Sequence, residues 1–160
     1  MIEAVVIPLT IATAIGSGLM GGFFFAFSVC VMGALRRLPP AQATTTMQSI
    51  NVVVLNPMFL GVFLGTAVLC VIALILSWQH WHESGAICLL VGSVLYLVGT
   101  LRVTMAFNVP RNNALAPVTR ADPNGAQLWT RYVSSWTIWN HVRTAAALAA
   151  SAAFIIALRC

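Results

Sequence analysis

The sequence predicts an all-α integral membrane protein, a four-helix bundle with a long cytoplasmic loop between helices 3 and 4. Of the 160 residues, 60% are hydrophobic and only 7% are charged, and the mean hydropathy is +0.93. A soluble globular domain carries about 25% charged residues, and a chain this apolar must bury its surface rather than stay disordered in water. Residues 1–160 are therefore predicted to form a single transmembrane domain.

Four apolar segments are predicted to be helices, at approximately residues 4–35, 50–78, 86–107 and 134–158. Each provides the roughly 20 residues that a helix needs to cross a hydrocarbon core of about 30 Å. The first lacks the basic start of a signal peptide and is predicted to be retained. The connection before the fourth contains Pro110, Pro117 and Pro123, and it is predicted to be irregular over roughly 25 residues.

Basic residues concentrate in the first and third predicted loops. They are Arg36 and Arg37 in the first loop, and Arg111, Arg120 and Arg131 in the third. The second loop, residues 79–85, has neither Arg nor Lys. By the positive-inside rule, loops 1 and 3 are predicted to be cytoplasmic and both termini to lie outside. The net charge of +5 is too sparse for a nucleic-acid-binding face.

Small residues within the apolar segments predict close helix packing. Gly18-x-x-x-Gly22 and Gly61-x-x-x-Gly65 each place two glycines one turn apart on one helix face. We interpret both pairs as contacts within the bundle, with a homo-oligomer contact as the alternative.

Cysteine and histidine spacing gives little indication of a metal site. The four cysteines form no C-x-x-C pair, and buried inert thiols are predicted, with a disulfide between Cys70 and Cys88 as the alternative. His80 and His82 are placed to offer imidazoles to copper or iron, but no third ligand is visible nearby. No metal is therefore predicted.

Polar residues at the start of the fourth segment are the main functional candidates. The uninterrupted apolar run covers only residues 145–158, which rise about 21 Å, less than the roughly 30 Å of the hydrocarbon core. Asn140, His141 and Arg143 must therefore enter the membrane. An ionisable residue at that depth costs at least ~2.5 kcal/mol and usually faces the bundle interior with a partner.

Helical spacing separates these residues into two faces. At about 100° per residue, Trp136, Trp139, Asn140 and Arg143 share one stripe, whereas His141 is displaced by about 160° from Arg143. His141 and Arg143 are therefore not expected to share a pocket without a local distortion. The alternatives are an Arg143 that snorkels to the interface and a neutral His141 that hydrogen-bonds to a neighbouring helix.

Two other predicted helix ends supply polar residues at the same level. Asn56 precedes Pro57 at the start of the second span. Thr100, Thr104 and Asn108 recur every four residues and form a polar stripe towards the cytoplasmic end of the third span. Asn56 and Asn108 are also suitable as helix caps. The convergence of amide, guanidinium and indole groups at one depth predicts a polar cavity.

Three motifs together resemble the small anthrone-oxygenase-like membrane proteins. They are Asn51 followed by Asn56-Pro57-x-Phe59, then Thr104-x-x-x-Asn108-Val109-Pro110-x-Asn112-x-x-Leu115, and Trp129 followed by Trp136-x-x-Trp139-Asn140-x-x-Arg143. The resemblance implies a four-helix membrane protein, and the predicted location is the inner membrane of a bacterium. For the characterised members it also implies oxidation of an anthrone to an anthraquinone by molecular oxygen, without an established cofactor. The motif residues carried over are Asn56, Asn108, Pro110, Asn112, Trp139, Asn140, His141 and Arg143.

The enzyme hypothesis assigns two catalytic residues. His141, or a water that it orients, removes a proton from a flat phenolic substrate, and Arg143 stabilises the developing oxyanion. The substrate enters from the cytoplasmic side or from lipid and stacks between Trp136 and Trp139. The substrate-binding residues are predicted to be Asn56, Asn108, Asn112, Trp136, Trp139 and Asn140.

A non-catalytic hypothesis assigns the same cavity to a bound molecule. The molecule is a lipid, a quinone or a heme with His141 as one axial ligand, or the bundle is a subunit of a larger membrane complex. No cofactor is predicted, and heme and copper are the alternatives. The predicted partners are membrane lipid, a small hydrophobic aromatic substrate and a second copy of the chain.

Overall fold

The computed structural model describes the backbone of residues 3–160 and the side chains of residues 5–160. Within that range the chain is helical, with no strand. We number five helices, α1 to α5. Helix α1 comprises Glu3–Ala26, Phe27–Val31 and Met32–Leu35; α2 is Pro40–Val53; α3 is Pro57–Gln79; α4 is Ala86–Leu115; and α5 is Gly125–Ala157.

Three of these helices are long and apolar enough to cross a membrane. They cover Val5–Leu35, Pro57–Gln79 and Ala86–Leu115. Helix α5 has 33 residues and is about 50 Å long, but its first half is polar as far as Thr144. The all-helical fold is thus confirmed, and three helices have the length and composition of membrane spans, whereas α5 combines an apolar half with a polar one.

Two helix boundaries differ from the prediction. Residues 40–53 form a helix of their own, and the second apolar helix begins at Pro57 rather than near residue 50. Asn56 is extended, with φ −89° and ψ 159°, because the ring of a following proline disfavours the helical conformation. The break therefore falls immediately before Pro57.

The predicted long loop is also wrong in its length. Helix α4 continues to Leu115 and α5 begins at Gly125, so that only residues 116–124 connect them. Pro110 does not interrupt α4, because it lies in the first turn of the segment Val109–Leu115. A proline is tolerated at that position, where its missing N–H is not required.

The four long helices form a ring. Helix α5 packs along α1 and along residues 86–102 of α4, and α3 packs between α1 and α4. Fully buried Cys70, Tyr96, Ala147, Ala150 and Phe154 lie in the shared core. Burial of these apolar groups holds the ring together, and the Tyr96 hydroxyl donates to the Phe63 carbonyl at 3.0 Å.

Glycine does permit close helix contacts, but mostly not at the predicted pairs. A Cβ added to Gly16 would overlap with Thr66 Oγ1, so glycine at this position allows α1 and α3 to approach closely. A Cβ on Gly61 or Gly65 would meet nothing within 4 Å. The Gly61-x-x-x-Gly65 pair therefore does not set any helix distance within this chain.

A second core closes the end of the bundle at which Arg36, Arg37 and residues 116–124 lie, which we call the arginine-rich end. It joins α2, the first half of α5 and the last turns of α1 and α4. The Gln48 side-chain amide donates to the carbonyls of Leu115 and Val118 at 2.9 Å each. This fixes α2 across the end of α4. The buried members are Met32, Leu35, Ala43, Met47, Leu115, Trp129, Tyr132, Val133 and Trp136.

Candidate active site

A cavity of about 320 Å³ lies in the half of the bundle near the arginine-rich end. All five helices contribute to its wall, with α2 over one end. Most of the wall is apolar and aromatic, which is typical of sites for small hydrophobic ligands. The aromatic residues are Phe23, Phe24, Phe27, Phe59, Phe63 and Trp136.

Arg143 is the charged residue of this cavity. Its side chain is only 5% exposed, and its guanidinium donates to Asn140 Oδ1 and, at 3.2 Å, to Thr104 Oγ1. The guanidinium carbon lies 4.3 Å from the ring centre of Phe24 and 5.3 Å from that of Trp136. These cation–π contacts and hydrogen bonds hold the group in place and replace part of its hydration.

The charge of Arg143 has no acidic partner in the cavity. Within the part of the chain that the structure describes, no carboxylate lines the wall. Arg143 Nε is buried without a hydrogen-bond partner. Because a buried charge is costly unless it is paired and hydrogen-bonded, this guanidinium is positioned to receive an anionic or carbonyl oxygen.

Asn140 connects Arg143 to helix α1. Its side chain is fully buried, and its Nδ2 donates to the Phe24 carbonyl at 2.7 Å and to Ser28 Oγ at 2.6 Å. These two donor bonds direct the Oδ1 atom towards Arg143. Asn140 thereby fixes both the distance between α1 and α5 and the direction of the guanidinium.

Asn108 and Asn112 approach the same cavity from helix α4. Asn108 donates to the Trp136 carbonyl at 3.2 Å, while its Oδ1 is buried and has no partner. Asn112 Oδ1 accepts from Trp136 Nε1 at 2.8 Å and from the Tyr132 hydroxyl at 2.9 Å. Asn112 therefore orients the indole, whereas Asn108 leaves an acceptor free for a ligand hydroxyl.

Helix α4 is π-helical where it lines the cavity. The segments Leu95–Arg102 and Thr104–Asn108 both have this geometry, as does Phe27–Val31 in α1. A π-turn inserts an extra residue into a helix and shifts the direction of its side chains, and such turns are frequent at functional sites. Here Thr104 and Asn108, on the polar side of the cavity, are the first and last residues of one such segment.

The cavity opens sideways between α3 and α4. Contacts between these helices are dense along Ala86–Val94, sparse along Leu95–Arg102 and minimal along Thr104–Asn108. Four wall residues at this gap are also exposed on the outside, namely Leu55, Leu64, Met105 and Val109. The opening is therefore apolar and lies on the outer face of the helices.

Comparison with known families agrees with the motifs around this cavity. The sequence model of the family described as anthrone oxygenase matches residues 58–153, more than half of the chain. The chain belongs to the anthrone oxygenase family. No curated protein and no solved structure matches the chain.

The family match covers the part of the cavity built by α3, α4 and α5. It includes Asn108, Asn112, Trp136, Asn140 and Arg143, which the structure brings together in one wall. These five residues were all predicted to form the site. The phenylalanines of α1 and the whole of α2 lie before the matched range.

Two of the predicted substrate-binding residues do not line the cavity of this anthrone oxygenase family member. Asn56 is exposed and caps α3, where its Oδ1 accepts from the Phe59 N–H at 3.0 Å. Trp139 stacks on Phe107, with ring centres 3.5 Å apart and an interplanar angle of 5°. Stacking of a substrate between Trp136 and Trp139 is therefore not supported, because Trp139 is already paired.

His141 lies outside the cavity as well. It is exposed and lines a separate groove on the other side of α5. This placement agrees with the helical spacing, by which His141 and Arg143 were not expected to share a pocket. Among the residues that the structure describes, no group of three His, Cys, Asp or Glu side chains is placed to hold a metal. Cys70 and Cys88 are free thiols.

Sequence reasoning missed the aromatic wall of the cavity. The run Phe23-Phe24-Phe25-x-Phe27 and the pair Phe59 and Phe63, four residues apart, were a usable signal. Aromatic side chains at helical spacing on two helices indicate two faces that meet. Asn51 of α2, which belongs to the first motif but was not among the predicted site residues, also lines the cavity.

Proposed function

We propose that this protein is a membrane-embedded, cofactor-independent oxygenase that acts on an anthrone-like or other phenolic aromatic substrate with molecular oxygen. The observation that carries the proposal is Arg143, a buried guanidinium that has a free Nε and faces an aromatic cavity. Membership of the anthrone oxygenase family supports the reaction class. At about 320 Å³, the cavity is at the small end of the usual range for ligand sites.

The chemistry follows from the two unpartnered polar groups. Arg143 binds the oxygen of an enolate or phenolate and stabilises its negative charge in a dry site. Asn108 Oδ1 accepts a hydrogen bond from a neighbouring phenol hydroxyl. Phe24, Phe59 and Trp136 provide faces and edges for the rings of the substrate.

The reaction needs no external reductant. A ring methylene carbon loses two hydrogens and gains one oxygen atom from O₂, and the second oxygen atom leaves as water: R₂CH₂ + O₂ → R₂C=O + H₂O. The anion that reacts with oxygen forms when the enolisable substrate releases its proton to water. Arg143 favours that anion, and His141 has no contact with the substrate in this proposal.

Oxygen uptake by the purified protein tests the proposed function. We expect a colourless protein that consumes one O₂ for each anthraquinone formed from added anthrone, at a rate above that of heat-denatured protein. A protein that carries a visible or near-ultraviolet ligand band and adds nothing to the background oxidation rate would contradict the proposal. That result would favour the non-catalytic alternative, a bundle that binds a quinone or heme.

We infer from the arginine distribution that the arginine-rich end faces the cytoplasm of a bacterial inner membrane. Arg36, Arg37, Arg120 and Arg131 lie at that end, and residues 80–85, which contain no Arg or Lys, lie at the other. A cysteine introduced at Asn124 in a background without native thiols should not react with an impermeant maleimide in intact cells. Labelling of this cysteine before cell lysis would show that the protein has the opposite orientation in the membrane.

A further inference from the structure

A second concavity of about 670 Å³ lies on the outside of the arginine-rich end. It is bounded by the last turns of α1, the start of α2 and the first half of α5. Arg143, Asn108 and Asn112 take no part in it, so it is separate from the cavity described above. Its polar and ionisable wall residues are Ser28, Arg36, Thr130, Ser134, Thr137 and His141.

One face of helix α5 supplies four of these side chains. Thr130, Ser134, Thr137 and His141 follow one another at intervals of four, three and four residues, which places them in one line along the helix. The line ends at His141, which is exposed. A row of hydroxyl and imidazole groups therefore faces the groove, although the Thr130 hydroxyl already donates to the Ala126 carbonyl at 2.9 Å.

Thr137 is the buried member of this row and has an unused hydroxyl. Its side chain is only 6% exposed, and its Oγ1 has no hydrogen-bond partner. A threonine within a helix commonly donates to the carbonyl four residues earlier, as Thr144 does to Asn140 at 2.9 Å. A buried hydroxyl without a partner is destabilising, so this group is suited to a ligand.

The groove is electrically positive. Arg36 lines it, and no carboxylate does within the residues that the structure describes. Helix α2 begins at Pro40 on its edge, with no side-chain cap and no acidic residue in the first turn. The N-terminus of this helix contributes partial positive charge, although the Gln42 and Ala43 N–H groups already donate to the Pro39 carbonyl. Arginine and hydroxyl donors beside the positive end of a helix are typical of phosphate sites.

Apolar surface continues from the groove along the seam between α1 and α5. Ala145 and Leu148 lie one and two turns beyond His141 on α5. Leu148 is 45% exposed, and a Cβ on Gly21 would lie 2.7 Å from its Cδ2, which places Leu148 at the seam. Ile138 lines the groove itself and is also exposed. An anion bound in the groove would thus lie next to a strip suited to hydrocarbon chains.

We propose that the groove binds the phosphate of an anionic phospholipid, whose acyl chains lie along the α1–α5 seam. Arg36 and Thr137 donate to the phosphate oxygens, and His141 and Ser134 contact the remainder of the headgroup. Basic pockets at a membrane interface are suited to such headgroups. The proposal does not depend on the oxygenase function, because it uses none of the cavity residues.

Lipid binding to the delipidated, detergent-solubilised protein tests the proposal. Native mass spectrometry would compare phosphatidylglycerol with phosphatidylcholine of the same acyl chains, and with inorganic phosphate. We expect phosphatidylglycerol to bind at least tenfold more tightly than either. Equal affinity for the two lipids would overturn the proposal, and binding of inorganic phosphate as tight as that of phosphatidylglycerol would show a soluble-anion site instead.

Two variants and one matched control test whether the lipid binds in this groove. Arg36→Ala and Thr137→Val should each weaken phosphatidylglycerol binding about tenfold, as expected for the loss of one strong hydrogen bond. Arg37→Ala removes the adjacent arginine, which does not line the groove, and should leave the affinity unchanged. Thr137→Val is nearly isosteric and breaks no hydrogen bond within the protein, so its melting temperature without lipid should not fall. An equal loss of affinity in Arg37→Ala, or none in Thr137→Val, would refute the assignment.

Discussion

Arg143→Ala is expected to lower anthrone-dependent oxygen uptake by about 100-fold or more, the usual loss when one oxyanion donor is removed. Among the described residues, Arg143 is the only cation in the cavity wall, so the anionic form of the substrate lacks its charged partner after the substitution. Arg143→Lys should recover only part of the rate, because a compact ammonium does not reproduce the planar donor fork. The rates would be measured per folded protein in detergent.

Arg102 provides the matched control. It lies on helix α4 and is exposed, so Arg102→Ala should leave the oxygen-uptake rate unchanged. Wild-type rates in both Arg143→Ala and Arg143→Lys would remove Arg143 from the site. That result would be the one expected of an arginine that only snorkels to the interface.

Asn140→Leu is expected to cause a large loss of stability together with loss of activity. The leucine is similar in size but cannot donate to the Phe24 carbonyl or to Ser28, and it cannot accept from Arg143. Each buried polar group left without a partner costs about 1–3 kcal/mol, so we expect a total loss of roughly 3–5 kcal/mol. Unfolding in mixed micelles with increasing denaturing detergent would measure it.

An exposed asparagine on α4 serves for comparison. Asn113→Leu makes the same substitution at an exposed position and should alter the free energy of unfolding by less than about 0.5 kcal/mol. If Asn140→Leu were as stable as Asn113→Leu, the hydrogen bonds from Asn140 to α1 would not be holding the bundle together.

The polar side of the cavity was predictable from the sequence because its residues follow simple helical spacing. Trp136, Asn140 and Arg143 share one face of α5, and an arginine at that depth needs an interior position. The same spacing also predicted Trp139 to be a site residue, but the position of its side chain depends on a contact with another helix. Its partner Phe107 belongs to another helix, and spacing along one helix cannot identify such a contact.

The apolar side was not predictable for a different reason. In a chain with 60% hydrophobic residues, an apolar side chain is equally compatible with a position that faces lipid, the core or a cavity. Phe24 is buried and the adjacent Phe25 is 54% exposed, although both are phenylalanines. Only the packing of α1 against α3 and α5 decides which of them faces the ligand.

Helix α2 and the extension of α4 were not predicted, because the local sequence favoured a helix only weakly in α2 and argued against one at Pro110 in α4. Four of the residues 45–49 are polar, too many for a membrane span, and so residues 40–49 were assigned to a loop and only residues 50–53 to a helix, as the start of the second span. Their helix is held by tertiary contacts such as those of Met47 and Gln48. Pro110 was interpreted as a breaker, although a π-helical turn ends just before it and a new helical segment begins there.

Because the cavity opens sideways between α3 and α4, the ligand concentration that should determine the rate is the concentration in the bilayer rather than in the buffer. A ligand that enters past Leu64 and Met105 is drawn from the bilayer, in which a hydrophobic molecule accumulates according to its partition coefficient. The apparent KM in moles per litre of buffer should then rise as lipid is added, because the same quantity of ligand is diluted in more membrane. Expressed as mole fraction in lipid, KM should stay constant, and that surface-dilution behaviour distinguishes supply from the membrane from supply through water.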